Sequence, residues 1–321
     1  MALTETALIE RFFRGAGAQR SDVRLGIGDD AALLMPPAGA ELVATTDTLV
    51  AGVHFPADTP AAAIGHRALA VNLSDLAAMG ARPAWALLAL TLPEAQESWL
   101  AEFAAGLDAL AREHGVALVG GDTTRGPLTL TVALLGFVPP GAALRRGGAG
   151  AGDALFVSGT PGDAAAGLAL AQQRLSAAPE ARAYLRERFL RPSPRVALGQ
   201  ALRGYASACI DVSDGLLGDA GKLAAASGLA AELELEQLPL SPPLRAALGE
   251  EGARRLALTG GDDYELCFAV PAARVPELLA QLPPQRWAYT RIGALRAGTG
   301  ARVLRAGTVT EFSHSGYQHF A

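Results

Sequence analysis

Lysine is almost missing from this chain of 321 residues: Lys222 is the only one among 27 basic side chains. A phosphate grip built on a P-loop lysine is thereby excluded, and the Gly-x-x-x-x-Gly-Lys-Ser/Thr pattern and the protein-kinase motif set are absent as well. Positive charge is in short supply generally. The 32 acids outnumber the bases, the net charge is -5, and no basic footprint for nucleic acid or an anionic membrane surface exists. Cysteine is limited to Cys209 and Cys267, each between apolar neighbours. They read as small core residues of a reducing compartment, not as a disulfide or a zinc site. The longest uncharged apolar run, Leu128 to Val138, stops at Pro139-Pro140 and is too short to span a bilayer. Met1 to Glu10 carries acids and no apolar core, so it does not read as a signal peptide, and a cytoplasmic location is expected. No Ser-His-Asp arrangement stands out.

What is present is ample core material: 50% of residues are hydrophobic and 18% charged, enough for two domains. Thr4 is placed to cap a first helix with Ala7, Leu8, Phe12 and Phe13 on its apolar face. Leu42 to Thr46 reads as a strand ending at Thr46-Asp47, with His54 just beyond. Thr59-Pro60 opens a helix that runs to about Gly80 and carries Asp75. Strands at Ala86 to Leu92 and Ala117 to Val119 flank a helix from about Glu94 to His114, and Gly120-Gly121-Asp122 closes the second of them. The stretch Pro139 to Gly152, Gly, Ala and Pro around Arg145-Arg146, reads as a linker, giving domains 1–148 and 149–321. The second half continues with strands at Ala154 to Ser158, Ala208 to Ile210, Glu232 to Leu235, Glu265 to Val270 and Tyr289 to Ile292. Helices follow Asp163, Pro194 and Gly215 and cover Arg274 to Gln281. Both halves are mixed α/β without clean βαβ periodicity.

Acidic turns recur along this pattern: Asp29-Asp30 after Gly26-Ile27-Gly28, then Asp47, Asp75, Asp122, Asp211-Val212-Ser213-Asp214 and Asp262-Asp263. Each has a plain alternative. Gly-Asp-Asp makes ordinary turns, Asp75 is a solvated helix charge by default, and Ser213 or Asp214 caps the helix that follows. Taken jointly, acids brought together without cations would repel by up to about 4 kcal/mol per close pair at an intermediate dielectric. A cluster of this size therefore calls for divalent metals, and the hydroxyls of Thr45, Thr46, Thr123 and Ser213 beside it suit Mg²⁺ or phosphate oxygens. With lysine absent, Arg146 is the better candidate for a nucleotide phosphate, the alternative being a solvated linker charge.

Six motifs occur in order: Gly-Ile-Gly-Asp-Asp-Ala-Ala, Thr-Thr-Asp-Thr-Leu-Val-Ala-Gly-Val-His-Phe, Asn-Leu-Ser-Asp-Leu-Ala-Ala-Met-Gly-Ala, Gly-Gly-Asp-Thr, Asp-Val-Ser-Asp-Gly-Leu and Gly-Gly-Asp-Asp-Tyr-Glu-Leu. Over nearly its whole length the chain resembles bacterial thiamine-monophosphate kinases, of the superfamily that includes aminoimidazole ribonucleotide synthetase and selenophosphate synthetase. The resemblance implies a two-domain α/β fold of the aminoimidazole ribonucleotide synthetase type. In that fold an N-terminal mixed sheet with helices pairs in a homodimer, and an α/β sandwich domain follows. It implies ATP-dependent phosphorylation of thiamine monophosphate to thiamine diphosphate. Asp30, Thr45, Thr46, Asp47, Asp75, Asp122, Asp211 and Asp214 would hold several Mg²⁺ ions, with Asp47, Asp122 and Asp211 carrying catalysis. Gly121, Asp122, Arg146 and Ser213 would contact ATP, and His54, Asp262 and Tyr317 the thiamine phosphate. Asp262 stands where the family often has Glu, and Tyr317 where Trp is also common. Selenophosphate synthetase would need a reactive Cys near the N-terminus, and no Cys precedes Cys209. The remaining alternatives are aminoimidazole ribonucleotide synthetase itself and a non-catalytic Mg²⁺-nucleotide-binding dimer.

Overall fold

Alternating aliphatic and β-branched residues build the first sheet, and two glycines bring its helices together. In the computed structural model, residues 4–310 and 312 are described, and Tyr317 lies outside them. The chain divides into two units, Met1–Leu76 with Ala81–Gly141, and Ala77–Gly80 with Ala142–Ala321.

In the first unit, Thr4 caps α1 (Glu5–Leu8) by accepting the Ala7 N–H at 3.3 Å, and the helix runs on as a π-turn to Phe13. A small hairpin, β1 (Val23–Leu25) with β2 (Leu33–Leu34), precedes the main elements. These are β3 (Glu41–Val50), α2 (Ala61–Ala78), β4 (Arg82–Leu92), α3 (Glu97–Glu113), β5 (Ala117–Arg125) and β6 (Thr129–Val138). The four long strands form one sheet in the order β3-β6-β4-β5, antiparallel except for the β4–β5 pair. Helices α2 and α3 meet at Gly65 and Gly106. A Cβ at Gly65 would lie 2.1 Å from the Phe103 carbonyl oxygen, and one at Gly106 2.0 Å from that of Ala62. Only glycine permits so close a crossing.

Several strands run beyond the sequence expectation, among them β3 and β5. β3 does not end at Thr46-Asp47 but continues to Val50, and β5 does not close at Gly120-Gly121-Asp122 but continues to Arg125. In both cases a full ladder on the neighbouring strand carries poor strand formers along.

The second unit contains β7 (Ala154–Ser158), α4 (Asp163–Ala171), α5 (Pro179–Leu190), α6 (Val196–Leu202), β8 (Ala208–Val212), α7 (Leu216–Ala226) and β9 (Leu229–Glu234). There follow α8 (Pro242–Thr259), β10 (Glu265–Val270), α9 (Val275–Gln281), α10 (Pro284–Trp287), β11 (Tyr289–Ala297), β12 (Gly300–Arg305) and β13 (Thr308–Thr310). Its seven-stranded sheet has the order β13-β12-β9-β11-β7-β10-β8, with only β12 and β9 parallel. Strands β7 and β10 and the edge strand β8 are buried throughout. Cys267 joins the large apolar cluster between this sheet and its helices, and both cysteines are buried and free. Among the described residues no helix is long and apolar enough to cross a membrane.

Candidate functional site

On β3 the alternation places Thr45 and Asp47 on the face that packs toward α2, and Thr46 on the opposite, exposed face. Asp75 reaches this inner face from α2, where its Oδ2 accepts the Thr45 hydroxyl at 2.5 Å. Burial first, and then the charge of Asp75, pushes the Asp47 carboxyl up to about 6. No basic group among the described residues offsets those two effects. A half-buried carboxylate answered only by another carboxylate, with a threonine oxygen alongside, is a hard-oxygen donor set that fits Mg²⁺. Beyond the strand, His54 Nδ1 accepts the Val50 N–H at 2.9 Å, which leaves the proton on Nε2 in the neutral ring.

The exposed face of the same sheet forms one side of a cleft of about 1180 Å³, lined by Asp30, Gly121, Asp122 and the apolar Leu87, Ala89 and Leu135. Gly121 is obligatory here. Its φ is +149°, and a Cβ would lie 1.8 Å from the Leu88 carbonyl oxygen. Asp122, paired with Ala89, is carried out on the exposed side, and Asp30 is also exposed. The first unit thus presents its acids in two groups, Thr45-Asp47-Asp75 on the inner face and Asp30-Asp122 in the cleft. Among the described residues no three His, Cys, Asp or Glu side chains gather as a ready-made metal cage.

In the second unit, two candidate motifs meet. β8 delivers Asp211, buried, and the turn after it holds Ser213 and Asp214. The loop before β10 is clamped onto that turn: Asp262 N–H donates to the Ser213 carbonyl and Tyr264 N–H to that of Val212, both at 2.8 Å. Asp262 adopts φ +69° and Tyr264 φ +52°, conformations that side chains rarely occupy and that cluster at functional sites. The Tyr264 hydroxyl lies 3.3 Å from Asp262 Oδ1. Arg146 is exposed.

Sequence reasoning missed the groups that support this arrangement. Asp219 Oδ2 accepts the N–H groups of Ser213, Asp214 and Gly215 at 3.0, 3.0 and 3.2 Å, so it anchors the turn. Lys222 bridges Asp214 at 2.5 Å and Asp219 at 2.8 Å, which engages the one lysine with carboxylates. Asp263, fully buried, accepts Gly162 N–H at 2.6 Å and Ala164 N–H at 3.2 Å, and burial holds its carboxyl well above the ordinary range. An acid in the first turn of a helix is the signal that could have identified Asp219. Asp263 stands in the acidic turn Gly260-Gly261-Asp262-Asp263, where sequence does not tell a buried anchor from an exposed ligand.

Comparison with known proteins places these residues in context. The description "AIR synthase related protein, N-terminal domain" matches residues 28–138, and "AIR synthase related protein, C-terminal domain" matches residues 150–305. The chain is 50% identical over 323 residues to the thiamine-monophosphate kinase of Escherichia coli strain K12, covering 100% of this chain and 99% of that protein. Its fold is similar to the crystal structure of thiamine-monophosphate kinase from Stenotrophomonas maltophilia K279a, with 52% identity and a TM-score of 0.87. That match covers 97% of this chain and 99% of that one. It is also similar to AaThiL complexed with AMPPCP and TMP, at 34% identity and a TM-score of 0.79 over 100% and 99% of the two chains.

Proposed function

We propose, for a chain that belongs to the AIR synthase related family through both of its domains, that it is an ATP-dependent kinase converting thiamine monophosphate to thiamine diphosphate. The observation that carries this reading is full-length similarity, at half identity, to a thiamine-monophosphate kinase. The likeness to a relative solved with AMPPCP and TMP supports ATP as donor. The enzyme is expected in the cytoplasm.

Thr45, Asp47 and Asp75 are assigned to Mg²⁺ on the inner face of the first unit, Asp30, Thr46 and Asp122 to Mg²⁺ on its exposed side, and Asp211 and Asp214 to Mg²⁺ in the second unit. Once bound, Mg²⁺ would neutralise charge between two polyanions. Gly121, with no side chain, lets the backbone approach a nucleotide closely. Asp122, Ser213 and Arg146 are assigned to ATP, and His54, Asp262 and Tyr317 to thiamine monophosphate. The Asp262 N–H bond to the Ser213 carbonyl ties the two loops together, which supports one clamped turn carrying a residue for each substrate.

The acceptor is itself a phosphate monoester, with a second pKa of about 6, so it is mostly dianionic at neutral pH and needs no general base. One of its oxygens forms the new bond to the γ-phosphorus as the bond from that phosphorus to the β–γ bridging oxygen breaks, and ADP leaves. Transfer is direct, without a phospho-enzyme. The test is purified protein with ATP, Mg²⁺ and thiamine monophosphate, following thiamine diphosphate by chromatography. Product that requires Mg²⁺ and vanishes with Asp47→Asn is expected. Absence of product with intact ATP binding would favour the aminoimidazole ribonucleotide synthetase substrate or a binding role. Recovery of a radiolabelled protein that passes its phosphoryl group to the acceptor would exclude direct transfer.

The proposal includes a homodimer paired through the first unit's sheet. Its exposed face carries Leu42, 53% exposed, and Leu87, 38% exposed, beside Ala44, Thr46 and Thr48 of β3.

A further inference from the structure

Within the second unit a cavity of about 410 Å³ opens between the end of β7, α5 and the start of β11, and none of the residues assigned above lines it. That volume lies in the range of small-molecule sites. Behind the lining lies Glu265, the first residue of β10, fully buried. It accepts the Ser158 hydroxyl at 2.5 Å, Arg188 Nη2 at 2.7 Å, and Arg195 Nε and Nη2 at 2.6 Å each. Gly159, at φ +57°, lies directly over it: a Cβ there would meet Glu265 Oε1 at 2.0 Å. Asp163, also fully buried, accepts Thr160 and Ser241 hydroxyls at 2.5 and 2.6 Å and the Tyr184 hydroxyl at 3.1 Å.

Two arginines thus face two carboxylates, and the count of charges alone gives zero. Exposure decides the sign at the cavity wall. The Glu265 and Asp163 side chains are 0% exposed, whereas those of Arg188 and Arg195 are 13% and 27% exposed. Nη1 of both arginines and Nε of Arg188 make no hydrogen bond to Glu265, and Arg188 Nε lies buried at 4.0 Å from Asp163 Oδ2. Arg188 Nε finds no hydrogen-bond acceptor among the described residues. A guanidinium has five N–H donors, and Glu265 takes one nitrogen of Arg188 and two of Arg195. Around these donors the wall is flat and apolar: the Tyr184 ring, 40% exposed, with Pro239, Pro284 and Ala288.

We infer that this cavity is a second ligand site, taking a small organic anion whose carboxylate or phosphate meets Arg188 and Arg195 and whose flat apolar body lies against Tyr184. A planar, doubly donating cation suits both anion types. The alternative is a purely structural ion cluster tying α5 and α6 to the sheet.

The test uses the full-length protein with its kinase substrates' site saturated by a non-hydrolysable ATP analogue and thiamine monophosphate. Failure of the kinase reading then leaves the measurement intact. Benzoate and phenyl phosphate are titrated by calorimetry, with neutral benzamide as control. Saturable binding of at least one anion is expected, with benzamide weaker by about tenfold or more. Whichever anion binds more tightly distinguishes carboxylate from phosphate. Thr290→Glu places a like charge at the mouth, on a residue outside the ion cluster, and should weaken the anion by about tenfold or more while leaving kinase activity unchanged. A crystal soaked with 4-bromobenzoate should show the bromine beside Tyr184. No saturable anion binding, affinity indifferent to Thr290→Glu, or a bromine found elsewhere would overturn the inference and leave the structural cluster.

Discussion

Asp47 and Glu265 are both withdrawn from water, and their carboxyls move in opposite directions. Around Asp47, burial and then Asp75 act the same way and raise it from 3.8 to about 6. Around Glu265, burial pushes upward but Arg195 and then Arg188 hold the carboxyl below its ordinary 4.5. The signs of the pH dependence follow. Asp47 favours the fold while protonated, so the metal-free protein should lose about 1–2 kcal/mol, discounted for partial exposure, as pH rises from 3.8 through about 6. Asp47→Asn should remove that loss and be the more stable protein at pH 7 without metal, while being inactive. Urea midpoints with and without Mg²⁺ across this range check it, and a variant less stable than the parent at pH 7 would contradict it. For Glu265 the contribution is present above 4.5 and is lost as pH falls. Arg195→Met leaves a buried carboxylate short of a partner and should cost about 3 kcal/mol at neutral pH, less in acid. Thermal unfolding of the two proteins at pH 7 and pH 4 measures the difference. The acids themselves were legible as a set of turn motifs. Their pairing was not, because Asp75 meets Thr45 through tertiary packing thirty residues away.

Elements explain what local chemistry misread. Gly-Gly-Asp is a poor strand sequence, so β5 was expected to stop at Val119. The parallel ladder from Ala86 to Leu92 of β4 draws it on to Arg125, with an irregularity where the register shifts between Ala86 and Leu87. Gly121→Ala would force a methyl group into the Leu88 carbonyl at φ +149°, so we expect β4 and β5 to separate locally, a loss of about 3 kcal/mol, and weaker ATP binding. Gly115→Ala, with φ +66° but nothing within 4 Å of the added Cβ, should lose only about 1 kcal/mol and serve as control. Equal denaturation midpoints for the two would count against the close-contact argument. Helix α8 escaped notice for a related reason. It opens on Pro242-Pro243 and contains Gly249 at φ +68°, so the apolar period is broken where the helix kinks. For the turn ahead of α7 the sequence leaves two readings, a cap by Ser213 and Asp214 or a metal site with Asp211. In the structure the cap is supplied from inside the helix by Asp219, whose Oδ2 takes three backbone N–H groups. Asp219→Ala should therefore cost about 3 kcal/mol and raise KM for ATP more than it changes the fold, visible as an affinity loss in a variant whose circular dichroism is unchanged.

At the scale of the molecule, the composition was enough to expect two α/β units; the boundary was expected at 148/149, while the second unit takes Ala77–Gly80 and begins again at Ala142. What composition could not give is which surface of the first unit remains uncovered. Helices α2 and α3 take one face of the sheet; the other exposes Leu42 and Ala44 on β3 and presents Leu87 and Ala89 to the cleft of about 1180 Å³. A monomer that leaves so continuous an apolar sheet face in water is expected to pair it. The net charge of -5 opposes association only weakly, because surface charges are screened within about 8 Å at physiological salt. Each leucine removed from water contributes about 1.5–3 kcal/mol, and a two-fold interface counts every leucine twice. Changing Leu42 and Leu87 together to Glu would place four carboxylates in such an interface, where apolar contact is replaced by like charges. The unchanged protein should sediment at twice its monomer mass at micromolar concentration, and the double variant at its monomer mass with its circular dichroism intact. A double variant that still sediments as a dimer would move the pairing surface away from this sheet, and a parent that sediments as a monomer would remove the dimer from the proposal altogether.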